Sequence, residues 1–179
     1  MVATLTLRLT APRPAETAQQ RLERLYRTSR DDVYAYVASM LRDQTLAEDV
    51  TALAFERAFR RRGLFDARRG SERAWLFGIA RNAALDELRR RKRSAAAVLE
   101  QSARAGAQPA HDEAVFGRTV LRKAIGELSA RERELIALKF FAGLSNGEIA
   151  RVLGLSESNV GTSLHRTITK LRKACDEEA

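Results

Sequence analysis

Apolar residues in the last third of the chain recur every three or four positions, the spacing of a helix that buries one face. Ile149, Ala150 and Leu153 form one short series, and Val160, Leu164, Ile168 and Leu171 form another, with only Gly154-Leu155-Ser156 between them. Two helix starts are marked, because Ser129 with Glu132 and Ser145 with Glu148 both fit S-x-x-E. In that pattern the hydroxyl accepts from a helix-start amide and the carboxylate reaches back to the cap amide. Gly143 and Gly154 stand where a helix ends and the chain turns sharply, positions that favour a residue free to adopt a left-handed backbone. Residues 129–173 therefore read as three short helices that form a helix-turn-helix.

Upstream, residues 18–93 read as four helices. Leu22, Leu25, Val33, Tyr36, Val37 and Met40 give a helical apolar face, with Ser29 as a break or local cap. Thr45-Leu46-Ala47-Glu48 is a third capping pattern, which opens a helix to about Arg62. Gly63 to Ser71 reads as a loop, and the last helix runs from about Glu72 to Arg93. Residues 1–17 contain Pro12 and Pro14 and read as a flexible tail; Leu5, Leu7 and Leu9 alternate as in a strand, but a lone strand has no partner here. Residues 94–114 read as a linker, since eight of the 21 are alanine and Pro109 breaks regularity. Fully extended, that linker reaches roughly 70 Å, about two turns of B-DNA. The expected fold is all-α: two small helical domains, 18–93 and 115–175, joined by a flexible linker.

Charge changes this picture from a generic helical protein to a binder of polyanions. The 179 residues carry a net charge of +9, and 27 of the 32 basic residues are arginine, the side chain suited to bidentate phosphate and base recognition. Residues 57–93 hold 13 Arg or Lys against the four acids Asp66, Glu72, Asp86 and Glu87, so the rest of the chain sums to zero. The lone Cys175 leaves no internal disulfide and no cysteine-rich zinc site, and fits a reducing cytoplasm. No apolar run approaches the ~20 residues that span a bilayer, and no signal-peptide core precedes a cleavage site. A soluble cytoplasmic protein without cofactor or metal is expected, with no membrane insertion.

Three surfaces carry candidate function. On the helix from Glu72, the residues Trp75, Asn82, Asp86, Arg89 and Arg93 share one polar stripe, while Leu76, Ile79, Ala80, Ala83, Ala84 and Leu88 cover most of the rest. Asn and Arg offer hydrogen-bond groups to base edges, and the run Arg89 to Arg93, with Arg90, can hold phosphates. The preceding loop joins Phe65 with Arg68 and Arg69, an aromatic and two cations able to accept an unstacked base. On the Thr45 helix, Asp49, Ala52, Leu53, Glu56 and Arg60 line the side opposite Val50, Ala54 and Ala58, and an exposed Leu53 between charges marks a protein-binding patch. The last helix presents Ser158, Asn159, Thr162, Ser163 and Arg166, with Lys170 beyond them, small polar groups and cations suited to a major groove.

Segment 47–93, followed by a linker and then LSARERELIALKFFAGLSNGEIARVLGLSESNVGTSLHRTITKLR, closely resembles the extracytoplasmic-function group of the bacterial sigma-70 family over about 20–175. Two separate motif blocks occur in the family's order. The resemblance implies a sigma2-like domain that binds the clamp helices of the β′ subunit of RNA polymerase and melts the minus-ten element. It implies a sigma4-like domain that binds the β flap and reads the minus-thirty-five element. By position, Asp49 and its neighbours fall on the polymerase contact, and the Leu64–Arg73 loop with Asn82, Asp86 and Arg89 falls on the minus-ten element. The helix Ser156–Lys173 falls on minus thirty-five, the linker threads through the polymerase, and an anti-sigma protein is an expected partner.

This chain departs from the family pattern in three places. Ala52 and Leu53 stand where the polymerase-binding helix usually has a glutamine and an acid, and Leu128-Ser129 replaces Leu-Pro. The frequent G-T-V-K-S-R of the recognition helix appears as Ser158-Asn159-Val160-Gly161-Thr162-Ser163, two cations short. A stand-alone regulator of the LuxR type shares the C-terminal pattern, but the N-terminal half has no α/β receiver pattern. Catalysis is not expected: Asp31-Asp32 and Asp86-Glu87 are adjacent pairs that point apart on a helix. Of the histidines, His111 lies in the linker and His165 on the recognition helix.

Overall fold

In this computed structural model, residues 16–101 and 118–176 are described. Most of the expected tail 1–17 and the linker beyond 101, with Pro109 and His111, lie outside the described residues. All regular structure among the described residues is helical.

Helix α1 (Ala18–Leu41) opens on Thr17, whose side chain accepts from the Gln20 amide while Gln20 reaches back. It buries Leu25, Val33, Tyr36, Val37 and Leu41 and ends on Arg42 in a left-handed conformation, φ 53°. The expected break at Ser29 is absent. Ser29 is 1% exposed in mid-helix, and its hydroxyl accepts from Arg73 Nη1 at 3.0 Å, so a partner from another element satisfies it without disturbing the helix.

Helix α2 (Gln44–Arg60) is capped by Asp43 and not by Thr45. The Asp43 carboxylate accepts from the Leu46 amide at 3.0 Å and from Arg91 Nη2 at 2.6 Å. An aspartate two residues earlier, also held by a cation, thus takes the role assigned to Thr45. Two 3₁₀ turns, Arg62–Leu64 and Ala67–Arg69, shape the following loop.

Helix α3 (Glu72–Gln101) is capped by Ser71, whose Oγ accepts from the Ala74 amide at 3.1 Å. It buries Ala74, Leu76, Phe77, Ile79, Ala80, Ala83 and Ala84, and the four alanines let it lie close against α1 and α2. Phe77 meets Tyr36 edge-on with ring centres 5.4 Å apart. The helix does not stop at Arg93 as the sequence reading expected. It runs eight residues further, because Ser94-Ala95-Ala96-Ala97 contains good helix formers and no stop signal.

The second half comprises α4 (Arg118–Glu127), α5 (Ala130–Phe140), α6 (Asn146–Leu153) and α7 (Glu157–Asp176). Both expected capping boxes form, at Ser129/Glu132 and Ser145/Glu148. Gly143 and Gly154 adopt φ values of 62° and 66°, the left-handed turns that open space for the next helix. Leu135, Leu138, Leu144, Ile149, Val160 and Leu164 fill the centre.

The two halves are not separate bodies. One continuous apolar cluster runs from Leu25 through Leu76 and Leu138 to Leu164, with α5 seated on α1 and α6 on α3.

Candidate nucleic-acid interface

The loop before α3 is built around a half-buried aromatic pair. Phe65 and Trp75 lie with ring centres 5.7 Å apart, and the Arg21 guanidinium stands 5.8 Å over Phe65. Together with Leu22, Leu25, Arg62 and Glu72 they line a shallow crevice. Phe77, by contrast, is fully buried core. Asp66 caps the second 3₁₀ turn by accepting from the Arg68 amide at 2.9 Å, which leaves the Arg68 and Arg69 side chains exposed.

Beyond the loop, α3 presents Asn82, Asp86, Arg89 and Arg93 to solvent, as the wheel predicts. Asp86 is not a free acceptor: Arg57 Nη1 reaches it at 3.0 Å and Arg89 Nη1 at 3.4 Å. Its carboxylate sits between these two cations. Arg90 is held by both oxygens of Glu87 at 2.8 Å, and Arg90 holds the Glu87 carboxyl below its ordinary range. Arg91 is taken by Asp43, Arg73 by Asp32, and Arg81 by Glu134. Much of the basic cluster therefore serves the fold. Arg61, Arg68, Arg69, Lys92 and Arg93 carry no partner among the described residues, and they define a narrower cationic track than the sequence count implies.

On α7, Ser158, Asn159, Thr162, His165 and Arg166 are exposed. Ser163 is half-buried, and its hydroxyl donates to Asn159 Oδ1 at 3.1 Å, which orients that amide. Lys170 lies 3.6 Å from Glu132 on α5. The cap amide of Ser129 and then its hydroxyl hold the Glu132 carboxyl below its ordinary value, with Lys170 adding a smaller pull. At Gly161 a Cβ would find only Asn146 Nδ2, at 3.7 Å, so no steric constraint requires glycine there.

The α2 face is exposed at Asp49, Ala52, Glu56 and Arg60, with Glu56 and Arg60 paired at 2.6 Å. Leu53 is not exposed as expected. It is half-buried against the core, because it lies one turn before Arg57, on the edge of α2 that turns toward α3.

Sequence reasoning missed the residues that join the halves. Arg73 sends Nη1 to Ser29 and Nη2 to Asp32 at 2.6 Å, and also donates to the carbonyls of Phe141 and Ala142 at the end of α5. Glu134, 7% exposed, accepts from Arg81 Nε at 2.7 Å and from Arg131 Nη1 at 3.0 Å, with the Tyr36 hydroxyl 3.5 Å away. Burial first, then the Glu134 charge, pushes the Tyr36 phenol well up, so it stays neutral. The Ser71 hydroxyl donates to Glu148, and Arg151 Nη1 donates to the Arg69 carbonyl at 2.7 Å. Burial pushes the Glu148 carboxyl up, but bonds from Ser71 and Ser145 outweigh it and leave the group below its ordinary value. A signal was present at Glu134, which shares a helix face with Leu138, an acid in an otherwise apolar row.

The Sigma-70 region 2 family model matches residues 25–94, and the Sigma-70, region 4 model matches residues 118–171. Both regions of a sigma-70-type factor are thus present and in order. The chain is 31% identical to the ECF RNA polymerase sigma factor SigL of Mycobacterium tuberculosis over 173 residues, 95% of this chain and 96% of that one. It is 31% identical to BldN of Streptomyces coelicolor, of which it spans 61%, and 30% identical to SigX of Bacillus subtilis, of which it spans 84%. Among solved structures, the sigma factor RpoE bound to the anti-sigma factor NepR of Bartonella quintana matches at TM-score 0.71 and 21% identity, covering 88% of this chain and 98% of that one. CnrH in complex with the cytosolic domain of CnrY matches at 0.62 and 27%, covering 90% and 91%. The chain belongs to the extracytoplasmic-function sigma factors of bacterial RNA polymerase. A LuxR-type regulator is not favoured, since a sigma-70 region matches the N-terminal half as well.

Proposed function

We propose that this chain directs core RNA polymerase to a restricted set of promoters in the cytoplasm and begins their melting, while RNA synthesis itself stays with the core. The domain of residues 18–93 binds the β′ clamp helices through the exposed α2 face of Asp49, Ala52, Glu56 and Arg60. It takes the minus-ten element on Phe65, Arg68, Arg69, Trp75, Asn82, Asp86, Arg89, Arg90 and Arg93. The aromatic crevice offsets the few kcal/mol of unstacking when a base leaves the duplex. The domain of residues 115–175 docks on the β flap and reads the minus-thirty-five element with Ser158, Asn159, Thr162, Ser163, Arg166 and Lys170. An anti-sigma protein is the expected regulator, as in the complexes of RpoE and CnrH.

The observation that carries this reading is the presence, in one chain, of an aromatic and cationic loop leading into the exposed Asn82 stripe and of a separate helix-turn-helix with a polar α7 face. The test is transcription by cognate core polymerase on a promoter library, with and without the purified chain. Start sites sharing two spaced motifs are expected, and no gain in specific initiation with any cognate core sinks the reading. Asn82→Ala should relax minus-ten preference by the equivalent of about 1–3 kcal/mol at one base while leaving core affinity unchanged. Ala52→Arg, on the exposed α2 face, should weaken core binding instead.

A further inference from the structure

The outward surface of α7 has a gap. Ser158, Thr162 and His165 are exposed, and Gly161 lies among them, one turn after Ser158 and one turn before His165, with no side chain of its own. The group nearest to where its Cβ would stand is not on α7. It is Asn146 Nδ2, 3.7 Å away, on the first residue of α6. The amide of one helix thus occupies the place into which a side chain of the next would project.

That amide is also fixed in orientation. Lys139 Nζ donates to Asn146 Oδ1 at 3.2 Å and to the Leu144 carbonyl at 3.5 Å. An ammonium has three donors and no acceptor, so only the oxygen end of the amide can face it. The nitrogen end is left beside Gly161, and it meets no acceptor among the described residues. Next to it the Glu157 carboxylate packs on Gly147, with Oε2 3.3 Å from where a Cβ would lie. An anion there repels a DNA phosphate from the start of α6, so the unused donor is matched to a base edge and not to the backbone.

We propose that Asn146 reads one base of the minus-thirty-five element across the gap at Gly161, as a hydrogen-bond donor that selects guanine. This rests on the promoter-reading function above. The choice of base follows from which end of the amide is unengaged. Asparagine selects adenine by accepting from N6 while donating to N7, which needs both ends. With Oδ1 taken by Lys139 only donation remains, and guanine alone presents two acceptors, O6 and N7, side by side in the major groove. Lys139 is a positioning residue. It touches no base, but it sets the orientation of the group that does, and its charge polarises the amide toward stronger donation.

The test uses the full-length chain bound to cognate core polymerase and a promoter library randomised across the minus-thirty-five region, with the bound DNA sequenced. The parent should favour guanine at one position. Asn146→Ala should reduce that preference roughly five- to hundredfold, the range of one good base contact, with the preferences at other positions kept. Asn146→Asp keeps the tie to Lys139 but turns the donor into an acceptor, so the same position should move to cytosine, whose N4 donates. Lys139→Met releases Oδ1, and the position should then admit adenine. Unchanged preferences in Asn146→Ala, or an equal loss of binding on every sequence as for a phosphate contact, overturn the assignment while the promoter-reading function stands. A parent holoenzyme that selects no motif sinks that function and the assignment with it.

Discussion

At the scale of single residues, the two glycines of the helix-turn-helix region that look alike in sequence behave differently. Gly154 turns the chain at φ 66°, and Gly154→Ala should lower stability by about 1–2 kcal/mol, the cost of a left-handed Cβ. Gly161 lies inside α7, where a Cβ would make only an ordinary contact with Asn146, and Gly161→Ala should raise stability by up to about 1 kcal/mol through helix propensity; chemical denaturation of both variants checks the pair. Gly161→Lys fits sterically, and it should tighten minus-thirty-five binding and steepen its salt dependence by roughly one phosphate contact, measured by titration at several salt concentrations. Gly143 and Gly154 were legible because a sharp turn between apolar series demands a left-handed backbone. Asp43 was not, because Thr45 satisfied the same pattern and only a long-range contact with Arg91 separates the two. Asp43→Ala should therefore lower the melting temperature by a few degrees, while Thr45→Ala leaves it nearly unchanged.

Whole elements were read well where start and stop signals coincide. Ser145 with Glu148 opens α6 and Gly154 closes it, so both ends are printed in the chain. Helix α3 has a start at Ser71 but no stop for many residues after Arg93, and an alanine-rich stretch reads equally as linker or helix until its surroundings decide. Ser29 misled for a similar reason, since a serine in a helix interior is uncommon unless another element supplies its partner. The capping carboxylates of α5 and α6 also make a pH prediction. Glu132 and Glu148 are held below their ordinary values in the folded chain, so they bind protons more readily when unfolded. Their contribution is full above the ordinary carboxylate range and is lost as pH falls through the depressed folded values. Thermal melts should thus show stability falling as the pH drops below about 5, and Glu132→Gln should flatten part of that slope.

For the whole molecule, periodicity said that two helical units exist but not that they dock. The docking residues Arg73, Arg81 and Arg151 are scattered through the chain and look in sequence like any surface cation, and only Glu134 stands out, as an acid in an apolar row. Their partners across the two halves lie 53 to 98 positions away, beyond any local pattern. The continuation of α3 also shortens the tether. Eight residues kept helical span about 12 Å instead of roughly 27 Å extended, so the reach expected from residues 94–114 falls by ~15 Å. If the shared apolar cluster makes the halves one cooperative unit, the parent should unfold in a single calorimetric transition. Arg81→Glu should split it in two, because removing one member of a buried pair leaves the other charge uncompensated.

Gly70 holds φ at 143°, and the Arg151 guanidinium lies 2.9 Å from where a Cβ would stand. Any other residue there would strain the backbone and push the guanidinium aside. Position 70 is thus tied to two constraints at once, its own backbone and a cation from a distant helix, so a change at residue 151 alters which side chains position 70 can accept.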